Sequence, residues 1–119
     1  MFVLLVLVPD SPPLNVSGYA INETAITLNW LPIPEDDRNG ILLGLNVTLY
    51  IEGSVVKAVR VVNSSQQSLE IHGLEAWTNY SVLMIGYTAI GPGPSSEIYV
   101  ETEEEGLFVH LFVVVHKVM

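Results

Sequence analysis

Cysteine is absent from this 119-residue sequence. That excludes a disulfide scaffold, a thiolate metal site and a cysteine nucleophile together. A chain of this length can build one core without bridges, so the absence does not by itself assign a reducing compartment. Basic residues are scarce too: four Lys and Arg stand against 13 Asp and Glu, for a net charge of −9. Nucleic acid is bound through a basic footprint that displaces counterions, which this chain lacks. An anionic membrane surface is disfavoured for the same reason. No apolar run reaches the roughly 20 residues of a membrane helix. Residues 1–8 (MFVLLVLV) are apolar like a signal-peptide h-region but lack its basic flank and its small-residue cleavage pattern. Residues 107–119 (LFVHLFVVVHKVM) are apolar, short for a span, and interrupted by His110, His116 and Lys117. Both ends read as truncated or foreign to the domain; the sharper alternative is a clipped signal sequence and the first half of a membrane anchor.

Half of the residues are hydrophobic, enough for one core, and they recur at period two. The stretch that organises the chain is residues 73–82 (GLEAWTNYSV), a turn feeding a strand. Thr78, Tyr80, Val82 and Met84 share one face of it, while Asn79, Ser81 and Leu83 share the other. A buried Tyr here covers a large apolar area, and its hydroxyl needs a partner. A tyrosine near the start of a late sandwich strand that bonds back to the preceding corner supplies both.

The other strands are read in the same way. Residues 14–17 form a short first strand after the proline-rich residues 9–13 (PDSPP), and residues 20–23 form a polar turn. Residues 24–31 (TAITLNWL) point Ile26, Leu28 and Trp30 inward and Ala25, Thr27 and Asn29 outward. Residues 42–52 place Leu45, Val47 and Leu49 on one face and Asn46, Thr48 and Tyr50 on the other, then turn at Gly53-Ser54 into residues 55–62. Residues 68–72 and the strand through Tyr80 follow. A tight turn at residues 91–94 (GPGP) leads to a last strand over residues 96–103. Seven strands with turn signals every 8–12 residues predict an all-β, seven-stranded antiparallel immunoglobulin-like β-sandwich with almost no helix.

These residues resemble a fibronectin type III domain over roughly residues 9–103. Pro12-Pro13 opens the first strand. Trp30 lies late in the second strand, followed by Pro32 and Pro34. Asn39-Gly40, Leu42, Gly44, Leu45, Val47 and Leu49 fit the third strand. Leu74, Thr78, Tyr80, Val82 and Met84 fit the family's Leu-x-Pro-x-Thr-x-Tyr-x-Val-x-Val run, and Gly91, Gly93 and Ser96 fit its last turn. The sequence departs at Ala76 (usually Pro), Gly86 (Ala), Thr88 (Asn), and Leu45 and Leu49 (Tyr). An immunoglobulin domain would want cysteine where Val82 stands. The domain is expected over residues 9–105, between an apolar stub (1–8) and an apolar tail (106–119), with Trp30, Leu74, Tyr80 and Val82 in its core. The resemblance implies tandem repetition in cell-surface adhesion molecules, receptor tyrosine phosphatases and cytokine or guidance receptors. It also implies contact loops over residues 32–41 and 89–95, at one end of the sandwich.

Five Asn-x-Ser/Thr sequons begin at Asn15, Asn22, Asn46, Asn63 and Asn79. With seven Asn and 15 Ser and Thr in 119 residues, chance gives about one. Asn15, Asn46 and Asn79 fall on outward strand phases, and Asn22 and Asn63 in loops, where a bulky glycan can sit outside the core. Ser- and Thr-rich strands generate some sequons on their own, but five of seven exceeds that.

Catalytic and metal chemistry is hard to find. The histidines at 110 and 116 are six apart, which is not ligand spacing, and His72 stands alone. Asp36, Asp37 and Asn39 lack the spacing of a calcium loop. Glu101 and residues 103–105 read as a solvated strand end, and Gly91 and Gly93 as turn residues rather than a phosphate cradle. No catalytic, metal or cofactor-binding residue is assigned and no cofactor is expected. The expected role is a non-catalytic extracellular protein-interaction or adhesion module of a larger cell-surface or secreted glycoprotein. Its partners would be a protein ligand or neighbouring repeats, not nucleic acid, with a membrane reached only through segments incomplete in this chain. The alternatives are a rigid glycan-bearing spacer, or a domain appended to a receptor-type enzyme such as a tyrosine phosphatase.

Overall fold

The computed structural model describes residues 6–63 and 65–104. Their strands, in chain order, are β1 (Leu14–Asn22), β2 (Ala25–Leu31), β3 (Gly44–Ile51), β4 (Ser54–Val61), β5 (Ser68–Ile71), β6 (Asn79–Tyr87) and β7 (Pro92–Glu101). One 3-10 turn, Glu35–Asp37, interrupts the β2–β3 connection. No helix among the described residues is long and apolar enough to cross a membrane. The strands form two antiparallel sheets in the orders β1-β2-β5 and β4-β3-β6-β7. This is the seven-stranded immunoglobulin-like sandwich that the alternation predicts.

Alternation decides what lies between the sheets. Ile26, Leu28 and Trp30 of β2 are buried, as are Leu45, Val47 and Leu49 of β3 and Tyr80, Val82 and Met84 of β6. Ile33, Val61, Ile71, Leu74 and Val100 complete the same cluster. Gly86 also faces inward, and a Cβ there would collide with Cδ1 of Ile33. The absent side chain is therefore the space that Ile33 fills. The β3–β4 hairpin is closed by Glu52 and Gly53, with φ of 48° and 82°. Two left-handed central residues make a type I′ turn, whose twist matches that of the strands it joins.

The corner before β6 is fixed by two hydroxyls. The Glu75 N–H donates to the Tyr80 hydroxyl at 2.8 Å. Thr102, buried just past β7, donates its hydroxyl to the Glu75 carbonyl at 2.6 Å and accepts from the Thr78 N–H at 2.9 Å. The Trp77 N–H donates to the Glu103 carbonyl at 2.9 Å and the Thr102 N–H to the Thr78 carbonyl at 3.0 Å. The backbone polar groups of this corner are thus met by residues 102 and 103, just beyond β7, and leaving such groups unpaired is costly.

Three local expectations are corrected. β1 runs to Asn22 instead of ending near Ser17, because residues 18–22 pair with β2 and only Glu23 and Thr24 form the turn. Exposed Tyr19 and Ile21 hide that strand from a reading based on core-facing alternation. β7 begins at Pro92, inside the stretch read as a tight turn. It is an edge strand, where a proline's missing N–H breaks no interior ladder. Ala25, expected to face outward, is fully buried. The Leu74 N–H donates to the Thr24 carbonyl and the Glu103 N–H to the Asn22 carbonyl, so the corner and the segment after β7 crowd the start of β2.

Trp30→Ala is expected to cost about 3–5 kcal/mol and to lower the thermal midpoint by about 12 °C or more; a midpoint within a few degrees of the parent contradicts the packing described. Tyr80→Phe and Thr102→Val keep shape and remove a hydroxyl. Each should cost about 1–3 kcal/mol, read as a lower urea midpoint with an unchanged slope.

Candidate functional site

The sequon acceptors occupy both sheets and one connection. Asn15 lies at a bulge in β1 with φ of 50°, a left-handed conformation that Asn tolerates better than most residues. Asn22 ends β1 and is therefore a strand residue rather than the loop residue expected. Its side-chain oxygen accepts from the Thr24 N–H at 2.9 Å. Asn63 lies in the β4–β5 connection and accepts from the Ser65 N–H at 3.0 Å. Both are Asx turns closed within the sequon itself. Asn15, Asn22, Asn63 and Asn79 are exposed, and Asn46 on β3 is half-buried. Of the four expected core residues, Trp30, Leu74, Tyr80 and Val82, all are buried.

Asn79 is set among aromatic side chains. It opens β6 on the outer face of the four-stranded sheet, opposite Glu101 of β7. Ser81, two residues on, pairs with Tyr99 on one side and Tyr50 on the other. Register therefore makes both tyrosines diagonal neighbours of Asn79 on one face, a separation that long side chains bridge. Trp77 joins them from the corner, and Tyr50, Trp77, Asn79, Ser81 and Tyr99 line one shallow depression of about 610 Å³. Trp77 is 44% exposed and Tyr99 67% exposed. The Tyr99 hydroxyl donates to Oε1 of Glu97 at 2.7 Å. That bond, with the charge of Glu97, raises the Tyr99 pKa above its ordinary value.

A second feature lies at the end of the sandwich where the described chain enters. The Leu7 N–H donates to the Asn39 carbonyl at 2.8 Å, and Asn39 Nδ2 donates to the Val8 carbonyl at 3.0 Å. The Thr88 hydroxyl donates to the Leu7 carbonyl at 2.7 Å. Thr88 is buried at the position where the family usually has Asn. These bonds bring the 6–10 segment, the β2–β3 connection and the β6–β7 connection together. Leu7, Val8, Ile41, Leu43 and Ile90 are exposed here, Ile41 at 79% and Ile90 at 62%. None of the five sequons falls in these segments.

Acidic and imidazole side chains do not gather. His72 is exposed, with Glu70 3.8 Å away. Among the described residues, no three His, Asp or Glu side chains approach closely enough to hold a metal. His110, His116 and the apolar tail lie outside the described residues, as do residues 1–5 of the N-terminal stub. Sequence reasoning missed Thr102, Trp77 and Tyr99. Trp77 left one usable signal, an aromatic residue two positions before a sequon; Tyr99 left none until the register between β6 and β7 was in hand.

Comparison with known proteins agrees with this architecture. The family model for the fibronectin type III domain matches residues 11–102. The chain is 36% identical over 102 residues to the cell adhesion molecule DSCAM of Rattus norvegicus, covering 82% of this chain and 5% of that protein. It is 33% identical over 101 residues to the receptor-type tyrosine-protein phosphatase F of Bos taurus, with the same coverage of each. The chain thus spans about 5% of the length of the curated relatives it matches. In three dimensions it resembles the third fibronectin III domain of human KIAA0343 protein, with a TM-score of 0.74 at 23% identity over 83% of this chain and 86% of that one. The fn3 domain of human contactin 1 gives a TM-score of 0.73 at 18% identity over 89% and 88% of the two chains. A sandwich closed by a buried indole and a corner tyrosine, matched over residues 11–102 and related at this level to cell adhesion molecules, belongs to the fibronectin type III domain family.

Proposed function

We propose that residues 9–105 of this chain serve as a non-catalytic protein-interaction module in the ectodomain of a larger cell-surface or secreted glycoprotein, with N-linked glycans at some or all of its five sequons. The exposed apolar end formed by Ile41, Leu43 and Ile90, with Leu7 and Val8 of the preceding segment bonded against it, carries the reading. Large apolar side chains grouped at one end of a domain are a feature of protein contact surfaces, and the sequons lie elsewhere. Its partner is a protein ligand or an adjacent repeat. Kinship with adhesion molecules and with a receptor phosphatase supports an extracellular setting. The matched part of the phosphatase is only 5% of it, so no catalytic role comes with the resemblance. A rigid glycan-bearing spacer is the second reading, favoured by the spread of sequons over both sheets.

Two experiments test this. The full chain, secreted from animal cells behind a cleavable signal peptide, should run faster on a gel after glycosidase treatment; unchanged mobility removes the extracellular glycoprotein reading. Beads coated with the secreted chain should adhere to cell monolayers, and Ile41→Asp with Ile90→Asp should reduce adhesion at least about tenfold, the loss expected when two partly desolvated anchors are made charged. Adhesion that is absent in the parent, or unaffected by the pair of substitutions, favours the spacer.

A further inference from the structure

We propose that Trp77, Tyr99 and Tyr50 form a platform on which the first N-acetylglucosamine of an Asn79-linked glycan packs, so that this one glycan is part of the domain's fold rather than a loose appendage. The inference rests on the extracellular reading above and goes beyond it by giving the Asn79 glycan a surface to pack on. Asn79 and Ser81, the two sequon residues that define the site, share the outer face of β6 and lie between Tyr50 of β3 and Tyr99 of β7. Trp77 reaches the same depression from the corner.

The chemistry of the occupant follows from that lining. A pyranose ring presents hydroxyls at its rim and an apolar face of C–H groups. An aromatic ring carries a negative face that attracts such C–H groups, together with a large apolar area. A sugar attached through Asn79 is tethered to the lining of the depression, so the encounter is intramolecular and meets little of the entropy cost of free association. The linkage itself is a group transfer from an oligosaccharide carried on a lipid diphosphate. The Asn79 side-chain nitrogen forms a bond to C1 of the sugar as the C1–O bond breaks, the diphosphate leaves with the electron pair, and the amide gives up one proton.

Trp77 gives a second, independent indication. Its φ of 48° is left-handed, a conformation unfavourable for a bulky side chain. Such strain persists where the surroundings impose it and often accompanies function. Here a Gly or Asn would fit the backbone more easily, yet the position holds a large aromatic, 44% exposed, beside the acceptor. Asn46 lies in a depression formed by Val47, Thr48, Ala58, Val59 and Arg60, without an aromatic ring, and Asn15 lies in one whose aromatic, Trp30, is only 3% exposed. The sugar would also cover part of Tyr99 while its hydroxyl stays bonded to Glu97.

The test uses the full chain secreted from animal cells. Peptide mass spectrometry of the parent first reads occupancy at each sequon. Occupancy elsewhere with none at Asn79 overturns this inference and leaves the extracellular reading standing; no occupancy anywhere overturns both. A chain carrying Asn15→Gln, Asn22→Gln, Asn46→Gln and Asn63→Gln is then trimmed by endoglycosidase to a single N-acetylglucosamine on Asn79 and compared with the same chain carrying Asn79→Gln. The sugar is expected to raise the thermal midpoint by about 4 °C, the shift that an aromatic contact produces in a domain of this size. In Trp77→Asn or Tyr99→Ala backgrounds the rise should fall by at least about half, as in any cycle that isolates a direct contact. An equal rise in both backgrounds overturns the proposal. Should either variant fold poorly, proton NMR of the trimmed parent decides: sugar resonances displaced upfield by ring currents support stacking, and resonances at the positions of an unstructured glycopeptide exclude it.

Discussion

The Tyr80 hydroxyl accepts a hydrogen bond from the Glu75 N–H at 2.8 Å while its ring lies buried in the core. One side chain thereby fills space between the sheets and satisfies a backbone donor at the corner where the chain enters β6. A phenylalanine supplies the first function and not the second. With the corner fixed, β6 enters in one register. A slip of one residue would turn Tyr80, Val82 and Met84 out and Asn79, Ser81 and Leu83 in, so burial and register enforce each other.

The outer surface follows from the same register. Because Tyr80 is inside, Asn79 and Ser81 are outside, and the pairings with β3 and β7 set Tyr50 and Tyr99 on either side of Ser81. The bonds that hold the corner also fix Trp77, whose N–H donates to the Glu103 carbonyl. The surface therefore divides. Sequon acceptors stand on both sheets and on the β4–β5 connection. The entry end, with Ile41 and Ile90 exposed, carries apolar side chains and none of the five sequons. On the proposed reading, sugar lies along the flanks and the end is left clear for another protein.

Much of this was legible in the sequence, for identifiable reasons. The period-two pattern in residues 78–84 and 24–31 located β6 and β2, because both lie inside their sheets and present one largely apolar face. The spacing of Leu74, Thr78 and Tyr80 marked the corner. What escaped notice depended on contacts distant in sequence. Thr102 reads as an ordinary polar residue at a strand end, and only its bonds to Glu75 and Thr78, 27 and 24 positions away, disclose its part in the corner. Residues 18–22 lacked a core-facing pattern because Tyr19 and Ile21 face solvent, so pairing with β2 alone makes them strand. Pro92 and Pro94 signal a turn unless the strand is known to be at an edge. Ala25 is small enough to read as a solvent position, and its burial depends on the Leu74 and Glu103 backbones arriving beside it. The aromatic surroundings of Asn79 likewise required the pairing of three strands.

Amide hydrogen exchange at Glu75 tests the central constraint most directly. An N–H in a surface turn exchanges through local fluctuation, whereas one held by a buried core side chain exchanges only when that unit opens. The corner described here predicts protection of the Glu75 amide approaching that of the central amides of β6, and loss of that protection in Tyr80→Phe while the β6 amides keep most of theirs. Exchange at Glu75 as fast as that of an unstructured turn in the parent protein would contradict the account.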